Sequence, residues 1–372
     1  MKLAMTVMVR DEADVISAML DHHLRQGVDI IIVTDNGSVD GTAEILEGYA
    51  HAGSIDLRHD PVHRKQQGET VTRMARDAYT QYGADWVINA DADEFWMPRD
   101  RSLTLHEAFD HISPDLRSFI VPVVDMTGPP ALRGAGLGRL IYRDNRSNEQ
   151  LRSLGLLAHS THDSAHIGSP DVVVAQGNHY VSLASAGDPD PAYAIEVLHL
   201  PWRSWEQYRQ KVENAGRAYE NSDLKPSPNH HGMRDYQRLL AGTLFSYFVA
   251  RHPDATAIEN GIQEGDFTKD DVLAPFSAGD EVAIDPQVEA LARADAAGLV
   301  ALEQRAETAE AAISEARRVN EAAIQHLSAR ADAATRRVEE LERLVQELRN
   351  RRVIRLIDGA TERMRRVRPQ RP

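Results

Sequence analysis

From its second residue this chain alternates short apolar runs with segments of helical spacing, and that alternation leaves few architectures open. Lys2–Val9 and Asp29–Thr34 read as strands, Ile55–Arg58 as a shorter one, and the run ending before Asp91 as a fourth. Between them, Ala13–Gln26 spaces Val15, Ile16, Met19, Leu20, His23 and Leu24 as a helix does, and Thr42–Tyr49 and Glu69–Tyr82 read as two more helices. Asp29–Thr34 carries the continuous apolar run of a strand buried on both faces. Strands alternating with helices imply an α/β fold, a Rossmann-like and mostly parallel sheet with helices on both faces. In such sheets ligands bind beyond the carboxyl ends of the strands.

Three polar clusters fall at those ends: Arg10-Asp11-Glu12, Asp35–Asp40, and Asp91-Ala92-Asp93-Glu94. The last is the most informative. A buried-strand run, Asp85–Ala90, stops in three carboxylates within four residues. In an extended segment Asp91 and Asp93 would project to one side, where two like charges resist ionisation unless a cation lies between them. Mg2+ and Mn2+ take such hard oxygen ligands and bridge them to phosphates. A solvated acidic turn is the plain alternative for an isolated Asp-x-Asp. Three polar clusters on one rim argue against it.

These stretches resemble a family 2-type glycosyltransferase of the GT-A fold. The resemblance rests on Arg10–Asp14, His22-His23, Gly27-Val28-Asp29, Asp35–Thr42, Trp86–Phe95 and His199–Val212 (HLPWRSWEQYRQKV), and it spans about residues 1–250. The family more often has Asn where Asp11 precedes Glu12. The resemblance implies that Asp35 lies under the nucleoside, with Arg10 and Glu12 lining the same pocket and Asp40 supporting the turn. It also implies that Asp91 and Asp93 hold Mn2+ or Mg2+ on the donor diphosphate. Arg64 and Lys65 either add positive charge near the phosphates or belong to a solvated basic loop. GT-A enzymes often recruit a histidine as a third ligand: His199 opens the downstream motif and His179 is its rival. The function implied is metal-dependent transfer of a sugar from a nucleotide-sugar donor to a glycan or lipid-linked acceptor hydroxyl, with inversion, in cell-surface glycan synthesis. A nucleotidyltransferase, or a scaffold with a degenerate GT-A body, are the alternatives.

An inverting transfer needs a general base. Asp163 is the first candidate and Glu196 the second. Asp163 lies in His159–His166 (HSTHDSAH), whose histidine spacing alone would suit zinc. Its serine content points instead to a loop on the acceptor side.

Composition sets the outer bounds. The chain has 372 residues, no cysteine, and a net charge of −15, which excludes thiolate chemistry and argues against nucleic acid as a partner. No run reaches the ~20 apolar residues of a membrane span, and the chain opens on a strand, so a cytoplasmic enzyme is expected. The domains expected are a GT-A body over 1–258, an acidic linker over 259–284, a coiled coil over 285–350 and a basic amphipathic tail over 351–372. The coil rests on Leu302, Ala306, Ala309, Ile313, Ala316, Asn320 and Ala323, then Ala331, Ala334, Val338, Leu341, Val345 and Leu348, which step by four and three. It predicts a homo-oligomer. From Arg349 onward nine arginines face two acids around Val353, Ile354, Leu356 and Ile357, a composition suited to peripheral contact with an anionic membrane. Asn221–Gly232 reads as a flexible loop and Arg234–Arg251 as one amphipathic helix.

Overall fold

The computed structural model describes residues 1–62, 67–156, 158–220, 231–277, 279 and 281–366. Its N-terminal part follows the expected alternation: β1 (Leu3–Val9), α1 (Ile16–Arg25), β2 (Ile30–Asp35), α2 (Thr42–His51), β3 (Asp56–His59), α3 (Gln67–Thr80) and β4 (Trp86–Ala90). Next come β5 (Glu94–Pro98), α4 (Leu105–His111), β6 (Ser118–Val121), β7 (Val123–Thr127), β8 (Ala131–Arg133), β9 (Tyr142–Asp144), α5 (Asn148–Ser153), β10 (Asp163–Ile167) and β11 (Ile195–His199). The remainder is α6 (Trp205–Glu220), α7 (His231–Leu240), α8 (Leu244–Arg251), α9 (Ala255–Glu264), β12 (Phe267–Lys269), β13 (Val282–Ala283), α10 (Pro286–Asn350) and α11 (Arg352–Arg366). The chain forms two compact units, Met1–Val300 and Ala301–Pro372.

The main sheet has the order β3-β2-β1-β4-β10-β6. Its first four strands are parallel, while β10 runs antiparallel to both neighbours. The β1, β2, β3 series winds outward in one direction and β4 then pairs on the opposite side of β1. That reversal opens a crevice between the carboxyl ends of β1 and β4. Both faces of the sheet are covered, as the apolar runs require. Leu3, Met5, Val7, Trp86 and Ile88 join the large cluster under α1, whereas Ala4, Ile32 and Val87 pack with Val71, Met74, Ala75 and Ala78 of α3. A second sheet, β12-β9-β7-β11-β5, begins where the chain leaves β4. The residues between β4 and β5 therefore cross from one sheet to the other.

Three expectations need correction. Asp163–Ile167, read as part of a loop, is the strand β10, paired with β4 and β6. Its residues Asp163, Ser164, Ala165 and His166 are buried, and that burial was hidden by their small and polar side chains. Arg234–Arg251 is two helices, α7 and α8. Gly242 adopts φ +74, a left-handed conformation that favours glycine, and ends α7. Residues 259–284 are structured rather than a linker: the end of α9 and all of β12 and β13 fall among them, Phe267 and Leu273 are buried, and Asp270 pairs with Arg143. The loop expected at Asn221–Gly232 lies outside the described residues as far as His230.

The second unit consists of α10 beyond Val300 and α11. Leu302, Ile313, Val338, Leu341, Val345 and Leu348 are exposed there, as are Val353, Leu356, Ile357 and Met364 of α11. No helix among the described residues is long and apolar enough to cross a membrane.

In the first unit, His23 is buried and satisfied only as the neutral ring. Its Nδ1–H donates to the Met19 carbonyl at 2.8 Å and its Nε2 accepts the Trp96 N–H at 3.2 Å. Burial, and the neighbouring His22, push its pKa well below 6.5. A base with a depressed folded pKa leaves stability unchanged above 6.5 and lowers it as pH falls below that value, because only the unfolded chain takes the proton. Compared with His23→Gln, the wild type should therefore lose up to about 1.4 kcal/mol of relative stability per pH unit below 6.5. Urea unfolding of both proteins at pH 7 and pH 5 checks this, and a pH-independent difference would refute it.

Candidate active site

The crevice between β1 and β4 is lined by the loops that follow β1, β2 and β4. After β1, Asp11 adopts φ +56, which turns its backbone sharply. Its Oδ1 accepts the Val39 N–H at 2.8 Å and its N–H donates to Ser38 Oγ at 3.0 Å. Asp40 fastens the same two loops: Oδ2 accepts the Ala13 N–H at 3.0 Å, and Oδ1 accepts the Thr42 hydroxyl at 2.6 Å. Arg10 donates to the Asn36 carbonyl at 2.5 Å. Asp35 ends β2 almost fully buried, with Oδ1 accepting the Ser38 N–H at 3.2 Å. Arg10, Glu12, Asp35 and Asp40 therefore gather at one rim. Arg64 and Lys65 lie outside the described residues.

Asp91 and Asp93 do not sit on an extended segment. The chain turns between β4 and β5: the Glu94 N–H donates to the Asp91 carbonyl at 3.2 Å, and Glu94 Oε2 accepts the Asp91 N–H at 2.9 Å. This reciprocal pair replaces the expected alternation, and the two carboxylates take different partners. Asp91 Oδ1 accepts from the amides of Gln67 at 2.8 Å and Asn178 at 3.1 Å. Asp93 is 1% exposed and surrounded by cations. Its Oδ2 lies 2.6 Å from Lys211 Nζ, 3.4 Å from Arg203 Nη1 and 3.7 Å from His199 Nε2. Burial alone would raise its pKa, but Lys211 and His199 hold it well below the usual carboxylate range. Asp91 feels Lys211 and His199 more weakly, and burial and the charge of Asp93 raise its pKa.

The cations come from α6 and the turn before it. Arg203 is fully buried and pairs with Glu12, with Asp14 at 2.9 Å and with Asp93. Gln207 donates to Glu12, Lys211 to Asp93, and Asn214 to Asp11 at 2.9 Å. Residues 203, 207, 211 and 214 step by four, four and three, so one face of α6 closes over the loops after β1 and β4. Arg203 and Lys211 lie within the His199–Val212 motif, where the resemblance implies a role for His199 alone. The spacing of the motif's polar residues was the available signal. Burial raises the Glu12 pKa to about 7 despite Arg203 beside it.

His199 ends β11 and reaches the same place. Burial would lower its pKa, but Asp93 and Asp125 raise it well above 6.5. His179 does not reach Asp93: its Nδ1 lies 3.0 Å from the His162 carbonyl and 3.4 Å from Asp163. Asp163 has no exposed surface, and burial with the charge of Asp91 raises its pKa to about 7. Asp163 is enclosed in β10 with His179 Nδ1 3.4 Å away, and the general-base role read for it from the sequence stays an expectation. Glu196 is likewise committed, to Arg143 at 2.7 Å and Arg101 at 2.6 Å. The histidines of His159–His166 disperse: His159 bonds Asp125, His162 packs on Tyr180 and His166 is buried. Among the described residues, no three His, Asp or Glu side chains close around a single point.

Residues 4–120 match the model of glycosyltransferase family 92, which is less than half of the chain. That match supports a nucleotide-sugar glycosyltransferase. No curated protein sequence matches. Among solved structures, the chain is similar to TarS of S. aureus, at 14% identity over 70% of this chain and 45% of that one, with a TM-score of 0.31. The chain thus spans under half the length of that TarS chain. Residues 1–349 of TarS in complex with UDP-GlcNAc match at 12% identity over 68% of this chain and 82% of that one, TM-score 0.34. Glucosyl-3-phosphoglycerate synthase from Mycobacterium tuberculosis, in complex with Mn2+, UDP and glucosyl-3-phosphoglycerate, matches at 15% identity over 68% of this chain and 81% of that one, TM-score 0.26.

Arg203 is the keystone of the rim. Removing one partner of a buried ion pair leaves an uncompensated charge and costs about 3–5 kcal/mol. Arg203→Met should cost that much, read from urea midpoints, because Glu12, Asp14 and Asp93 then share only Lys211 and His199. A loss under about 1 kcal/mol would show that the network contributes little to the fold.

Proposed function

We propose that this chain is a metal-dependent glycosyltransferase of the GT-A type, moving a sugar from a nucleoside-diphosphate donor to an acceptor hydroxyl. The observation that carries the reading is the position of Asp91, Asp93 and His199 at the crevice where β4 reverses the strand order. The donor types fit Mn2+ or Mg2+: two carboxylates and an imidazole whose Nε2 is directed at Asp93 Oδ2. Asp91, Asp93 and His199 would hold the ion. When bound, it supplies Lewis-acid stabilisation of the charge that develops on the departing diphosphate. Arg10, Glu12 and Asp35 line the nucleoside side, and Asp40 holds their loops together.

Lys211 occupies Asp93 Oδ2 through one contact on a long stem, and its side chain is 41% exposed. It is the cation at this carboxylate that is free to swing towards a phosphate. Arg203, buried and held by Glu12 and Asp14, stays in place. The inverting course, the relation to family 2-type enzymes, and an acceptor that is a glycan or lipid-linked are carried over from the motif resemblance.

Purified protein is to be melted with UDP-, GDP-, dTDP- and CMP-sugars, with and without Mn2+. A donor at ~100 times its dissociation constant adds about 2.7 kcal/mol, a shift easily read. One nucleotide should stabilise in a manganese-dependent way, and Asp91→Asn, at a carboxylate bonded only to the neutral amides of Gln67 and Asn178, should lose the effect while keeping its circular dichroism. The absence of any shift in the wild type would overturn the reading.

We also propose that the exposed seam of α10 pairs with a second copy of the chain, and that α11 meets an anionic membrane surface. Support comes from Leu341, Val345 and Leu348, which lie on one face of the helix and are exposed. Sedimentation equilibrium should give a dimer or higher oligomer for the full chain and a smaller species for residues 1–300. Equal association states would remove the coil.

A further inference from the structure

Asp125 belongs to none of the motifs read from the sequence, yet it is the most heavily bonded carboxylate near the crevice. It lies on β7, which runs parallel to β11 and places Asp125 directly beside His199. Only 2% of it is exposed. Its Oδ1 accepts from Ser160 Oγ at 2.6 Å and from His199 Nδ1 at 3.0 Å. Its Oδ2 accepts from the Ser160 N–H at 3.0 Å and from His159 Nδ1 at 3.2 Å. His159 is itself fixed on the far side, where Nε2 donates to the Arg146 carbonyl at 2.6 Å.

This network determines where the His199 proton resides. Ser160 Oγ lies 2.9 Å from His199 Nδ1, and its own proton is already given to Asp125. Both neighbours of Nδ1, the Asp125 carboxylate and the Ser160 oxygen, are therefore acceptors. Nδ1 must carry a hydrogen whatever the charge on the ring, and Nε2, turned to Asp93, is the nitrogen that gives up its proton when a cation takes its place. An imidazole that ligates a metal through one nitrogen commonly donates its other N–H to a carboxylate, which fixes ring orientation and raises ligand basicity.

We propose that Asp125, with Ser160, is a positioning residue that sets His199 to bind a divalent cation through Nε2. The proposal rests on the metal reading above. Asp125 reaches neither substrate nor ion, and acts through His199 alone.

The test is calorimetric titration with Mn2+, without nucleotide, of the full-length wild type, Asp125→Asn, His199→Ala and the double variant. Asp125→Asn should weaken Mn2+ binding about 10- to 100-fold. The double variant should bind no more weakly than His199→Ala alone, because the two residues act in series. A merely structural Asp125 would give additive losses, and that overturns the proposal. So does a wild-type affinity retained by Asp125→Asn, while Mn2+ binding in the wild type leaves the metal reading standing. A wild type that binds no Mn2+ overturns both. Should Asp125→Asn fail to fold, Ser160→Ala takes its place. It removes the hydroxyl beside Nδ1, and should weaken Mn2+ binding only where His199 is present; an unchanged affinity rejects the proposal.

Discussion

The structure around the crevice depends on one buried carboxylate. Asp93 has almost no contact with solvent, and an unpaired carboxylate in that position would be too costly to keep ionised. It stays ionised because cations arrive from two directions: Lys211 and Arg203 from the α6 segment, and His199 from the end of β11. None of these is near Asp93 in sequence. The charge therefore draws together the end of β4, the second sheet and the first helix after it. Arg203 extends the tie to Glu12 and Asp14, beyond the end of β1. A single electrostatic requirement thus closes the rim.

Sheet topology explains why that requirement falls there. β1 and β4 are neighbours whose following connections leave in different directions, so no crossover helix covers the space between their ends. The chain leaves β4 through the Asp91–Glu94 turn and enters a different sheet, which stations β11 and His199 opposite. Backbone groups in such a turn need partners, and Glu94 supplies one by accepting the Asp91 N–H. The acidic run thus has two kinds of member: Glu94 builds the turn, while Asp91 and Asp93 take partners from other elements.

The first four strands and three helices were legible because their apolar pattern is local, with a period set by the backbone. What escaped depends on contacts made across the chain. β10 was hidden because Asp163, Ser164 and His166 look like loop residues, although the sheet buries them between β4 and β6. The segment 259–284 looked like a linker because it is acidic, but its acids answer arginines far back in the chain: Asp270 pairs with Arg143, and Glu281 with Arg139. Asp91 and Asp93 were identified, yet the extended geometry assumed for them gave way to a turn closed by Glu94. Asp125 offered no local signal at all, since its meaning comes from lying beside His199 in the sheet.

Arg203 and Lys211 show how two cations on one carboxylate can be given different work. The guanidinium of Arg203 is held by Asp14 through two nitrogen–oxygen contacts, at 2.9 and 3.0 Å, and by Glu12 as well. A planar fork held at several points is fixed in place. Lys211 is a point charge on a flexible stem, with one ion-pair contact to Asp93 and a partly exposed side chain. Exchanging Lys211 for an incoming cation would leave Asp93 neutralised throughout, whereas displacing Arg203 would strand Glu12 and Asp14. The neutralising charge therefore divides into a fixed part that maintains the fold and a movable part at the mouth of the crevice. On the proposed function, that division would let a carboxylate be buried and still be reached by a ligand.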